Sequence, residues 1–135
     1  MNAALNAPAV LRGALVTLVI ATPAVLIIGA LGDTDDGTDQ SNWVYLAFVL
    51  VVLAYLVGGW VAAHRAAEGP LFNGAIAPGV AFVVVQAIAW IVSGDGISLV
   101  AAIFNSLLAA SIGVVGAGFA SMRGTLADGG GEPTG

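Results

Sequence analysis

The sequence predicts an all-α membrane protein: four transmembrane helices forming an antiparallel bundle. Three observations lead there. Of 135 residues, 59% are hydrophobic and 8% charged, whereas a soluble domain carries roughly a quarter charged residues. The apolar residues gather in four runs, each near the about 20 residues that a helix needs to cross the hydrocarbon core. The links between the runs are short and rich in helix breakers. A chain this small leaves much of its folded surface exposed. Here that surface is Ala, Val, Leu, Ile and Gly, and lipid is its matching solvent.

Taken in order, the spans are read at residues 9–31, 42–63, 71–93 and 97–121, all within one transmembrane domain over 1–123. The first follows Pro8 and carries Arg12 near its start. Its apolar run exceeds the roughly 7–15 residues of a signal-peptide core, so it is read as a retained helix. An acidic link, 32–41 (GDTDDGTDQS), leads to span two, which opens with Trp43 and Tyr45 and closes with Trp60, His64 and Arg65. The link 66–70 (AAEGP) leads to span three, and 93–96 (SGDG) to span four. Such short links make consecutive helices antiparallel neighbours. The last segment, 124–135 (GTLADGGGEPTG), has little apolar content and reads as a disordered cytoplasmic tail.

Orientation follows from the arginines, because Lys and Arg near helix ends are retained on the cytoplasmic side. Arg12, Arg65 and Arg123 are the whole basic set, and an alternating chain places all three on one side. Asp33, Asp35, Asp36, Asp39 and Asp95 fall on the other. The expected location is therefore the cell membrane, multi-pass, with both termini cytoplasmic. Trp43, Tyr45, Trp60 and Trp90 lie near span ends, where amphipathic rings prefer the headgroup level.

In lipid no hydrophobic drive joins helices, so they associate by close backbone approach and interhelical hydrogen bonds. Small residues recur every four positions as Gly13, Thr17, Ala21 in span one and Ala54, Gly58, Ala62 in span two. Span four continues the pattern with Ala109, Gly113, Ala117 and Ser121. The helix-packing residues expected from this are Gly13, Gly58, Ala62, Ala109, Gly113 and Ala117. Gln86 and Asn105 lie equally far from the outer ends of spans three and four, so they are expected to pair as interhelical amides. A polar patch of Arg12, His64, Arg65, Asn73 and Arg123 is expected at the cytoplasmic interface.

The two hairpins read as copies. Residues 58–65 (GGWVAAHR) set above 116–123 (GAGFASMR) match Gly58 to Gly116, Ala62 to Ala120 and Arg65 to Arg123. Pro8 with Gly13-Ala14 likewise matches Pro70 with Gly74-Ala75. Parallel repeats of this kind are related by an axis along the membrane normal.

Chemistry-bearing patterns are sparse. There is no cysteine, so thiolate metal sites and cysteine nucleophiles are excluded. No charged residue stands near the midpoint of any span, where transport pathways and proton relays place them. His64 is the single histidine, and beside Arg65 it reads as a solvated interfacial residue. Residues 33–39 (DTDDGTD) begin like a calcium loop but lack the downstream glutamate. A net charge of −5 argues against nucleic acid as a partner. Neither a cofactor nor a metal is expected.

The segment 58–66 (GGWVAAHRA), then Gly69-Pro70 and Asn73-Gly74-Ala75, resembles small four-helix prokaryotic membrane proteins of the YrzE-like kind. The resemblance covers the central third of the chain. It implies a four-helix fold and carries no catalytic residue.

The function expected is that of a non-enzymatic structural or accessory membrane protein, self-associating through its small-residue helix faces. Its partners would be the bilayer and either further copies or a larger membrane complex. The second reading is a small transporter or channel subunit with a polar path lined by Asn73, Gln86, Asn105 and Ser111.

Overall fold

The computed structural model describes residues 4–31, 40–93 and 98–128. Asn6 starts the first helix. Its Oδ1 accepts the Ala9 N–H at 3.1 Å and its carbonyl the Val10 N–H at 3.0 Å, satisfying donors that a first helical turn leaves unpaired. Helix α1 spans Ala7–Leu31, α2 Gln40–Arg65, α3 Pro70–Ser93 and α4 Leu99–Asp128. Ser98 caps α4, with its Oγ accepting from the Ala101 N–H and its carbonyl from the Ala102 N–H. Between α2 and α3 the chain turns at Gly69, whose φ of 59° is a left-handed conformation that glycine adopts without a Cβ clash. The described residues contain no strand.

The shortest helix has 24 residues, about 36 Å at 1.5 Å per residue, against a hydrocarbon core of about 30 Å. Stretches long and apolar enough to cross run over Ala7–Ile27, Tyr45–Arg65, Pro70–Ile88 and Leu99–Met122. Large apolar side chains such as Leu15, Val19, Phe48, Ile91 and Phe104 stand exposed around the bundle, where lipid solvates them. The chain is thus an integral membrane protein with four apolar helices in a bundle.

Helix α4 runs past the expected span end. Residues 124–128, expected in the disordered tail, are helical. Thr125, Leu126 and Ala127 tolerate a helix. Residues 32–39 of the acidic link and residues 129–135 lie outside the described residues.

Packing is not that of a square. Helix α1 packs on α2 and α3, α4 packs on α2 and α3, and α2 touches α3 between them. Helices α1 and α4 do not meet among the described residues. The outline is a rhombus whose short diagonal joins α2 to α3, and the parallel helices α1 and α3 lie side by side, as do α2 and α4.

That outline bears on the repeat. An axis along the membrane normal exchanging the hairpins would make α1–α4 equivalent to α2–α3, yet only the latter pair touches. The copies are set beside one another as by a displacement. Their contacts also fix another register. Gly58 lies against Gly13 O and Thr17, while Gly113 lies against Gly74 O and Pro78. Gly13 faces Ala62, and Gly74 faces Ala117. Gly58 therefore corresponds to Gly113 and Ala62 to Ala117, three residues away from the matches to Gly116 and Ala120 that letter identity suggests. Contact partners decide correspondence between helices, and in a chain rich in Gly and Ala letter identity is cheap.

Candidate functional site

Glycines from all four helices meet at one level of the bundle. A Cβ placed on Gly13 would stand 2.5 Å from Gly58 O and 2.7 Å from the Ala62 Cβ, so α1 and α2 touch backbone to backbone. Three further glycines form a closed cycle. The hydrogen that a Cβ would replace points from Gly59 to Gly113 O, from Gly113 to Gly74 O, and from Gly74 to Gly59 O. Such Cα–H···O contacts contribute about 0.5–1 kcal/mol each, and they need backbones that only glycine lets this close. Gly116 adds a contact with Leu56 O. Around them Ala54, Ala62, Ala77, Ala109 and Ala117 are fully buried.

The six packing residues read from the sequence, Gly13, Gly58, Ala62, Ala109, Gly113 and Ala117, are all buried within the one chain. Their faces are occupied by neighbouring helices of the same protomer and are not open to a second copy. Gly59, Gly74 and Gly116 were missing from that set because they fall off the four-residue stripes. Each serves a helix with two or three neighbours, which a single stripe does not describe.

Thr17 Oγ1 donates to Gly13 O at 3.0 Å, with Ala54 O at 3.4 Å across the α1–α2 contact. Thr17→Val keeps the shape and removes both contacts. It is expected to cost under about 1 kcal/mol, read as a small shift of the unfolding midpoint in mixed micelles.

Asn73 is the principal buried polar group. Its Oδ1 accepts the Asn6 N–H at 2.7 Å, and its Nδ2 donates to Ala4 O at 3.0 Å, Glu68 O at 3.1 Å and Gly69 O at 3.0 Å. One amide thereby ties the segment before α1 to the α2–α3 turn. It does so while wholly buried.

The other residues expected at this end do not converge on Asn73. Trp60 and His64 stack with ring centroids 5.4 Å apart and planes 8° from parallel, as neighbours one turn apart on α2. Arg12, His64 and Arg65 are exposed. Arg123 is in α4, and its side chain lies outside the described residues. A recess of about 210 Å³ opens beside His64, lined also by Ala63, Ala66, Pro70, Ala120 and Ser121. No family model, curated protein or solved structure matches the chain. Function therefore has to be read from this geometry.

Gln86 and Asn105 do share a depth. Pro78 lies against Gly113, and Gln86 and Asn105 are each eight residues from that contact, in the directions that bring antiparallel helices level. Azimuth separates them. Eight residues turn each side chain about 80° off the contact line, in senses that lead to opposite flanks of the α3–α4 pair. No hydrogen bond joins them among the described residues; Gln86 is half-buried and Asn105 exposed. Nor do Asn73 and Gln86 share a face, since thirteen residues set them about 140° apart on α3. Ser111 is exposed, and its hydroxyl donates to Leu107 O at 2.8 Å on its own helix. The four polar residues thus do not line a common path through the protomer.

Proposed function

We propose that this chain is a non-enzymatic structural or accessory protein of the cell membrane, acting by lateral association with other membrane helices. Both termini and the α2–α3 turn face the cytoplasm in this reading, on the strength of Arg12, Arg65 and Arg123. The observation that carries it is the cycle of Gly59, Gly74 and Gly113 with the Gly13–Gly58 contact beside it. Backbones in contact across four helices make a stiff body, and a stiff body presents fixed outer walls on which a partner can dock.

Resemblance to the small YrzE-like membrane proteins implies a four-helix fold and adds no activity. The association is with further copies or with a larger complex. The test is subunit counting by single-molecule photobleaching in native membrane patches, beside ion and solute flux into liposomes. Expected are particles holding more than one chain or a stoichiometric membrane partner, with flux no greater than that of empty vesicles. Single, partnerless chains would refute the association, and flux above background would favour the pore reading.

A further inference from the structure

Resting on that reading, we propose that the lipid-facing side of α4 is the seam of a parallel homodimer, with Asn105 of two copies paired across a two-fold axis along the membrane normal. Helix α4 is the span least covered by its own chain. Five of the 24 residues of Leu99–Met122 are buried, against seven of 21 in Ala7–Ile27, six of 21 in Tyr45–Arg65 and five of 19 in Pro70–Ile88. Helix α1 does not reach it. Its inward side, Ala109, Gly113, Gly116, Ala117 and Ala120, is consumed by α2 and α3.

On the outward side, Ala101, Asn105, Leu108, Ile112, Val115 and Phe119 follow one another at spacings of four, three, four, three and four. All are exposed except Ile112, which is half-buried. That alternation is the 3.5-residue repeat by which two parallel helices wind together, and Asn105 takes one of its core positions. The flank beside it is open. A groove of about 190 Å³ runs along the seam between α2 and α4, lined by Leu56, Val57, Trp60, Gly116 and Phe119.

Asn105 supplies the reason for a partner. It lies about 8 Å from the middle of its span, within the roughly 15 Å half-thickness of the hydrocarbon. Its amide has no hydrogen bond to any other side chain or backbone group among the described residues. A primary amide facing acyl chains leaves two donors and an acceptor unmet, which is costly in a medium with no water to meet them.

A second copy answers this without further requirement. Rotation about the membrane normal keeps every residue at its own depth, so Asn105 necessarily meets Asn105 of the partner subunit. An amide is self-complementary, since each side donates through Nδ2 and accepts through Oδ1. A different protein would need its own polar group at this depth and azimuth. Asparagine at one core position of such a seam also fixes register and strand number.

The experiment exploits the absence of native cysteine. Single cysteines are placed in the full chain at Leu108 and Val115 on the seam, and at Leu107 and Val114, equally lipid-exposed but one position off it. Oxidation is carried out in native membranes. Disulfide-linked dimers are expected from Leu108→Cys and Val115→Cys and not from Leu107→Cys or Val114→Cys. In parallel, the dimer fraction in liposomes is measured for Asn105→Leu and Gln86→Leu. Asn105→Leu is expected to weaken the dimer roughly 3- to 30-fold, the range for an interhelical amide bond in lipid. Gln86→Leu, on the opposite flank, is expected to leave it unchanged. Dimers that persist in Asn105→Leu, or that cross-link equally at all four positions, overturn the seam and leave association standing. A wild-type chain that is monomeric at every protein-to-lipid ratio overturns both.

Discussion

Replacing Gly113 with alanine is expected to cost about 3 kcal/mol, the upper part of the usual range for forcing extra atoms into a packed site. The added methyl would run into Gly74 O and stand 2.8 Å from the Pro78 Cγ. A carbonyl held in a helix ladder and a proline ring have no alternative rotamer to retreat into. Relief must come from moving α3 away from α4, which also opens the contacts of Gly59 and Gly74. Gly113→Leu should leave little folded protein. Gly79→Ala and Gly118→Ala are the controls, because a Cβ at either meets nothing within 4 Å. They should be neutral or stabilising by up to about 1 kcal/mol, since alanine is the better helix former. Reversible unfolding in mixed micelles, followed by far-ultraviolet circular dichroism, would measure all four. Equal midpoints for Gly113→Ala and Gly118→Ala would refute the close approach.

The contrast between those glycines marks what sequence reasoning can reach. Four apolar runs separated by breakers define four helices because the hydrocarbon core imposes a length, so the spans could be placed within a few residues. Stripes of small residues every four positions located Gly58 and Gly113 because one helix face has that period. Gly59 and Gly118 look alike in a string of letters. Only the rhombus, in which α2 touches three helices and the outer side of α4 touches none, makes one indispensable and the other free. Depth was legible for Gln86 and Asn105 by counting from helix ends. Azimuth was not, because it depends on which residues form the α3–α4 contact line, and that line is set by Gly74, Pro78 and Gly113 together. The same lack of azimuth made the small-residue stripes look like surfaces for a second copy, when each is already covered by a neighbouring helix of its own chain.

Loss of the Asn73 side chain should be the next most damaging change. Asn73→Ala removes an amide that serves Asn6 N–H and the carbonyls of Ala4, Glu68 and Gly69. Leaving buried backbone groups without partners costs about 1–3 kcal/mol, and with several groups affected the upper end is expected. Part of that cost can be escaped by letting residues 4–6 swing away, so the damage should be concentrated there. The backbone amide of Asn6, now held at 2.7 Å by Asn73 Oδ1, should exchange with solvent deuterium at least about tenfold faster, as loss of roughly 1.4 kcal/mol of local protection requires. Asn73→Asp separates the two halves of the amide. The carboxylate still accepts from Asn6, but it cannot donate, and it sets a charge against three carbonyl oxygens in a buried site. Asn73→Asp is therefore expected to be at least as destabilised as Asn73→Ala. If Asn73→Asp behaved like the wild type while Asn73→Ala did not, the donor half of this arrangement would be refuted and only the bond to Asn6 would remain.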